Sequence, residues 1–457
     1  MERKKVLGFW DLTLFVFCSI FGLEAISASA AIGPSALSWW LIGITCYFLP
    51  SGLISAELGS AYPDQGGMYV WIKRALGKKW AARSIWYYWV SLPVWLPAIY
   101  IAISEMLGHM FFPGISLWRQ IAIGTALIWI AVGINLCPLK VSKWIPNIGS
   151  IAQSVVVVGM ICAAIAYFRG SGHFANDITA ANILPNLGAA IVFIPVIIYN
   201  ILGCELVSSA AGEMKDPARD MPRALIFSAV VIALLYLITT FAVLVVIPIK
   251  EINISSGILQ LFMIALEGHA MRNIVILAAG SLISVALFSG IVAWTLGQNR
   301  AVAESANNGE LPRVLGRTNK QMAPVGASVV SGVISTAVLI MYGFIAKNAA
   351  ELFWHTVSFS LIVQLLSYLM LFPAFVILRR RDAGIPRPYR VPGPEWFAVF
   401  LAVMAEVFVL SAMIVLIIQP GHDFARSSLP IIIGVLVSVA AGEYLVANSS
   451  SEHGRTK

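Results

Sequence analysis

The sequence predicts an all-α integral membrane protein with twelve transmembrane helices, and three observations carry that prediction. Only 11% of the residues are charged while 59% are hydrophobic, and the mean hydropathy is +0.86, whereas a soluble domain carries about 25% charged residues. Apolar segments of about 20 residues, long enough to cross ~30 Å of hydrocarbon, recur from end to end of the 457 residues. The basic residues then sort to one side of those segments.

In chain order the segments fall at about 10–32, 36–60, 84–111, 119–136, 145–168, 187–210, 223–248, 274–303, 326–345, 352–378, 396–418 and 428–447. An outer-membrane barrel would instead show alternating strands of ~10 residues. Twelve spans place both termini on one side, expected to be the cytoplasm of a multi-pass protein in the cell membrane. That side then holds 24 of the 30 Lys and Arg residues, including Lys73, Arg74, Lys78, Lys79 and Arg83 in one loop and Arg379, Arg380, Arg381, Arg387 and Arg390 in another. The opposite loops keep Arg119, Arg169, Lys250, Arg272, Lys347 and Arg426, the asymmetry of the positive-inside rule. The basic start followed by Ala28-Ser29-Ala30 resembles a signal peptide, but Asp11, Glu24 and the length of the apolar run argue against cleavage. The net charge of +8 is accounted for by the bilayer, so no nucleic-acid partner is expected. The five cysteines lie in or beside spans without a paired motif and read as small buried hydrophobes. No metal, haem or nucleotide motif occurs, and no cofactor is expected.

Two segments are interrupted. The first contains Ile20-Phe21-Gly22-Leu23-Glu24 followed by the small residues Ala25 to Ala31, and the sixth contains Pro195, Gly203 and Glu205. Interrupted spans at matching positions of two halves point to a transporter site. Segments one and six open successive sets of five spans on opposite sides of the membrane, the parity of an inverted five-plus-five repeat. The chain is therefore divided into a tail (1–9), a first repeat (10–180), a second repeat (181–380), two further helices (381–447) and a C-terminal tail (448–457). Glu24, Glu105, Glu205 and Glu406 fall deep inside spans, and this segmentation sets no Lys or Arg at mid-span. A buried carboxylate without a partner must be protonated, bonded by backbone or water, or completed by a cationic ligand. Glu24 and Glu205, at the two interruptions, are the carboxylates expected to meet a substrate amine or a coupling proton.

These features resemble the amino acid–polyamine–organocation (APC) transporters. The resemblance rests on Ala56-Glu57-Leu58-Gly59 through Pro63-Asp64-Gln65-Gly66-Gly67-Met68-Tyr69 after span two, and on Gly203-Cys204-Glu205 followed by Gly212-Glu213-Met214-Lys215-Asp216-Pro217. It also rests on Trp294-Thr295-Leu296-Gly297-Gln298-Asn299-Arg300 with Asn308-Gly309-Glu310-Leu311-Pro312. The resemblance implies a LeuT-like fold, ten of the twelve helices forming two inverted repeats, with substrate bound between breaks in helices one and six. It implies that Tyr199 corresponds to a gating aromatic and Trp294 to a pocket aromatic of helix eight. Many amino acid carriers of the family have a Gly-Ser-Gly break whose amides hold a carboxylate; here that region reads Ile20-Phe21-Gly22-Leu23-Glu24, losing glycines and gaining an acid. Polyamine carriers share a similar Phe-Gly-(Val)-Glu opening. Glutamate/GABA antiporters resemble the chain along Ile247-Pro248-Ile249-Lys250-Glu251 and at Leu7-Gly8-Phe9.

The expected function is secondary transport, by antiport or proton coupling, of an amino acid or related amine; a polyamine importer and a glutamate/GABA-type exchanger are the alternatives, with a channel or membrane-embedded enzyme more remote. The expected substrate-contacting set is Ile20, Gly22, Glu24 and Ser27 at the first break, Tyr199, Asn200, Gly203 and Glu205 at the second, and Trp95 and Trp294 on facing spans. Ser284 and Ser289 are weaker candidates for sodium, since serines in membrane helices usually bond their own backbone. The expected partners are a small amine or amino acid and membrane lipid, with the protein acting as a monomer or a homodimer.

Overall fold

The computed structural model describes residues 4–111, 114–186, 188, 194–254, 256–345, 349–418 and 428–454. Helices dominate, and the one strand-like pairing among the described residues is an isolated bridge between Leu7 and Met214. The helices are α1 (Phe9–Ile20), α2 (Glu24–Ala30), α3 (Ala36–Gly43), α4 (Leu49–Ala61), α5 (Met68–Leu76), α6 (Lys78–Phe111), α7 (Leu117–Asn135), α8 (Trp144–Ser171) and α9 (Ile194–Tyr199). They continue with α10 (Pro217–Val246), α11 (Gly257–Ala265), α12 (Arg272–Asn307), α13 (Val325–Ile345), α14 (Ala349–Tyr368), α15 (Leu371–Arg381), α16 (Glu395–Ile418) and α17 (Ser428–Gly454). Among the described residues nine helical stretches are long and apolar enough to cross a membrane, and α1 with α2 forms a tenth bent by 46°. Each of the twelve expected segments coincides with helical residues. Segment six is the least regular, passing from α9 through turns and irregular backbone at residues 200–205 into a 3₁₀ run at Leu206–Glu213.

Local chemistry explains the departures from straight helix. In α6 both Pro93 and Pro97 lie inside the helix. Pro97 has no N–H for the carbonyl four residues earlier, and the Ser335 hydroxyl donates to that Pro93 oxygen at 2.9 Å instead. A bonded partner of this kind is what lets proline persist in a membrane helix. Between α3 and α4 the chain runs through one π-helical turn, Ile44–Phe48, just before Pro50. At α10 Asp216 caps the N-terminus by accepting from the Arg219 amide at 3.3 Å, with Pro217 as the first helical residue, the favoured arrangement at a helix start. Small residues set the closest helix approach: a Cβ built on Gly149 of α8 would overlap the side chains of Ser289 and Cys18, the kind of contact by which membrane helices associate.

The end of the bundle that carries the N-terminus is tied together by charge. The Val6 and Leu7 amides donate to the Glu213 carbonyl, and the Lys215 amide donates back to Leu7. Lys143 pairs with Asp11 at 2.9 Å, Arg300 with Glu213 at 2.9 Å, and Lys73 with Glu310 at 2.8 Å. Glu57 of α4 is fully buried and receives Arg379 of α15, Arg387 at 3.0 Å and the Val391 amide at 2.7 Å. Arg379 also reaches Glu395 at 2.8 Å. Glu57 and Arg379 thus form a buried ion pair close to the ends of their helices. Glu57 lies four residues from the end of α4 and Arg379 two residues from the end of α15, and the fold buries them against each other. Glu443 is paired as well, with Arg83.

Candidate functional site

At the first break Phe21, Gly22 and Leu23 leave helical order between α1 and α2. Unwinding strands backbone groups in the apolar interior, where each must find a partner. Side chains from three other helices supply them. The Trp294 indole N–H of α12 donates to the Ser19 carbonyl at 2.7 Å, and Gln153 of α8 donates to the Phe21 carbonyl at 2.7 Å. The Tyr236 hydroxyl of α10 donates to the Ile20 carbonyl at 2.6 Å and accepts from the Gly22 amide at 2.9 Å. The same hydroxyl lies 3.1 Å from the Asn200 carbonyl at the second break, so one side chain joins both breaks. Its ring is held flat against Trp40, with centroids 4.1 Å apart and planes 9° apart, while the Trp40 indole bonds Thr240.

At the second break Gly203 has φ +107°, a region that L side chains rarely adopt. A Cβ there would also stand 2.9 Å from two ring carbons of Trp294. Gly203 therefore allows the second break to close against Trp294 of α12. Gly22 does the same on the other side, its α-face covered by the Asn200 amide oxygen and by Glu24.

Between the breaks lies a cavity of about 30 Å³, on the scale of one or two waters. Of the expected residues, Ile20, Gly22, Glu24, Trp95, Tyr199, Asn200 and Trp294 line it. Among the described residues Glu24 is the one acidic side chain on the wall, and no Lys, Arg or His lines it. Trp95 bridges the aromatics, its ring 5.3 Å from Tyr199 and 6.3 Å from Trp294. Aromatic faces favour cations within about 6 Å of the ring. The arrangement offers one carboxylate, amide and carbonyl groups and the rings of four aromatic residues, Phe21 among them, the surroundings of an organic cation.

Three expected residues stand elsewhere. Gly203 backs the wall through Trp294 and is absent from the lining itself. Ser27 is buried against Gly257, where a Cβ would stand 2.6 Å from its hydroxyl, so it joins α2 to the loop helix α11. Glu205 is turned away from the cavity: the Tyr88 and Tyr368 hydroxyls donate to one of its carboxylate oxygens at 2.7 and 2.8 Å. It is a junction between α6, the second break and α14, and it is not among the residues that line the cavity. Ser284 donates to the Gly280 carbonyl of its own helix at 2.9 Å. Tyr236, Gln153 and Gly290 are the participants that sequence reasoning passed over. Gln153 and Tyr236 carry a signal that could have found them, a strongly polar side chain in the middle of an otherwise apolar span.

Comparison with known proteins places the chain in a family. A family described as amino acid permease matches residues 7–439. The chain is 30% identical to a probable agmatine/putrescine antiporter of Lactococcus lactis, covering 97% of this chain and 95% of that protein. It is 28% identical to an uncharacterised transporter of Legionella pneumophila, over 92% of this chain and 91% of the other. A glutamate/gamma-aminobutyrate antiporter of Lactococcus lactis is 24% identical, over 92% and 85%. The chain belongs to the amino acid permease family of the APC transporters, and is a secondary transporter of amino acids or related amines, not an enzyme.

Proposed function

We propose that the protein is an antiporter of small organic cations, exchanging a guanidinium- or ammonium-bearing amine for a diamine by alternating access. The observation that carries this reading is the wall of the central cavity, where, among the described residues, Glu24 is the one acidic or basic side chain and stands with the rings of Phe21, Trp95, Tyr199 and Trp294. An amino acid would bring a carboxylate as well as an amine. The Gly22 amide, which a carboxylate would seek at this break, is already engaged by Tyr236. The similarity to a probable agmatine/putrescine antiporter agrees in substrate class.

In this reading 10–180 and 181–380 are the inverted repeats of a LeuT-like core, since each begins with a helix broken at cavity depth; 381–447 adds the last two of twelve helices. The charge asymmetry supports cytoplasmic termini at 1–9 and 448–457 in a cell membrane. Exposed apolar side chains along α8 and α10, such as Val155, Val158, Leu234 and Ile238, support direct contact with lipid.

The test is counterflow into proteoliposomes loaded with unlabelled putrescine, with labelled agmatine outside. Wild-type protein is expected to accumulate label only when putrescine is inside, and Glu24→Gln to lose that uptake at every pH. Uptake driven by glutamate or γ-aminobutyrate but by no diamine overturns the reading in favour of amino acid exchange.

A further inference from the structure

A small polar niche of about 10 Å³ lies where α6, α7, α12 and α13 meet, with the room that one water molecule needs. It stands directly behind the aromatic wall of the central cavity. Trp95 of α6 and Trp294 of α12 line that cavity, while the residues that follow them, Leu96 and Thr295, line the niche; consecutive helical positions point about 100° apart. From α13 come Ser328, Ser331 and Ser335, whose spacing of three and four residues puts them on one helix face. From the end of α7 comes Asn135.

Most polar groups around the niche are already paired. The Trp89 indole donates to Asn299 Oδ1 at 2.8 Å, and the Asn299 amide donates to the Ser328 hydroxyl at 3.2 Å. Thr295 donates to the Ile291 carbonyl at 2.9 Å, and Ser335 donates to the Pro93 carbonyl at 2.9 Å. The Asn135 amide nitrogen donates to the Ala131 carbonyl at 2.9 Å and to the Thr295 hydroxyl at 2.8 Å, which fixes the orientation of that side chain. Two atoms on this wall are left over: Asn135 Oδ1 and Ser331 Oγ bond neither each other nor any other group, although the two residues are only 1% and 2% exposed. Leaving such groups unpaired in the interior is costly, and native proteins rarely do so.

We infer that the niche is a binding site for one water molecule, which donates to Asn135 Oδ1, accepts from the Ser331 hydroxyl and ties α7 to α13 behind the aromatic wall. Water matches the groups on offer, since one is a pure acceptor and the other carries a hydrogen to give. Dry cavities in proteins are apolar ones. A metal cation would stand among neutral side chains, with no acid on the wall among the described residues to balance it. It would also find two free side-chain oxygens where hard cations take about six or more.

The direct test is a crystal structure of the wild-type protein that shows ordered water, determined once in sodium buffer and once with choline in its place. One peak is expected in both, within about 3.2 Å of Asn135 Oδ1 and of Ser331 Oγ. No density at that point overturns the inference, and a peak that requires sodium overturns it in favour of a cation. The second test is a double-mutant cycle read by chemical denaturation in detergent. Asn135→Leu and Ser331→Ala each remove one anchor of the same water, so the second change should cost less once the first has been made. The double variant is expected to be about tenfold more stable, in its unfolding equilibrium constant, than the two single effects multiplied together give. Single effects that simply multiply mean that the two side chains share no bridging molecule, and the inference fails. The first experiment needs no variant, so it decides the matter even where a substituted protein does not fold.

Discussion

Tyr236→Phe deletes one oxygen atom from the point where both helix breaks meet, and its cost can be worked from the hydrogen bonds lost. The hydroxyl accepts from the Gly22 amide at 2.9 Å and donates to the Ile20 carbonyl at 2.6 Å, with the Asn200 carbonyl at 3.1 Å. Phenylalanine keeps the stack on Trp40 and the contact with Phe21, so no cavity opens and the packing term is small. What remains is one amide and at least one carbonyl left without partners in the interior, each costing about 1–3 kcal/mol. The sum is at least about 2 kcal/mol, a shift of roughly 30-fold in the population of the formed site. Putrescine/agmatine counterflow should fall at least about tenfold, and the chemical-denaturation midpoint in detergent should drop. Wild-type exchange together with an unchanged midpoint in Tyr236→Phe would show that the breaks do not depend on this hydroxyl, and the account of how they are held would be wrong.

Gly203→Ala should abolish exchange, because alanine must accept a φ of +107° and also stand 2.9 Å from the Trp294 ring; shrinking the ring with Trp294→Phe should not restore it, since the backbone strain persists. Arg379→Gln should destabilise the protein by about 3–5 kcal/mol in chemical denaturation, because it leaves Glu57 buried with part of its partner set missing; Glu57→Gln with Arg379→Gln should cost less than the sum of the two single changes. Arg83→Gln, which breaks the more exposed pair with Glu443, should cost under about 1 kcal/mol in the same assay. Asp382 lies beyond the end of its span, where the Arg381 guanidinium, aided by the Tyr62 hydroxyl at 2.9 Å, holds its carboxyl below the usual carboxylate range. A lowered folded-state pKa gives stability that is fully present at neutral pH and is lost as pH falls below about 4. The thermal midpoints of wild type and Asp382→Asn should therefore differ at pH 7 and converge on acidification past that point.

Much of the architecture was legible because bilayers impose simple rules on sequence. Helix length follows hydrocarbon thickness and basic loops follow sidedness, so the segments at 119–136, 145–168, 223–248 and 396–418 agree with α7, α8, α10 and α16 to within several residues. The first break was readable from Gly22, Glu24 and the following small residues, and the second from Gly203 and its surroundings. Glu205 shows where such reading stops. Glu24 and Glu205 look equivalent as unpaired acids at interrupted spans, yet Glu24 lines the cavity while Glu205 is bonded by Tyr88 and Tyr368. Both tyrosines come from distant helices, and nothing near Glu205 in the chain announces them.

The sequence by itself determined that this chain crosses a membrane many times, that two of its spans are interrupted, and that acids sit at those interruptions, since hydropathy, charge placement and glycine content are local properties. Only the tertiary structure decided which acid faces the cavity, that Tyr236, Gln153 and Trp294 satisfy the exposed backbone, and that Arg379 neutralises Glu57. The physical reason is that a polar group in a low-dielectric interior takes its character from whatever stands within about 3 Å of it, and those neighbours are up to 322 residues away along the chain.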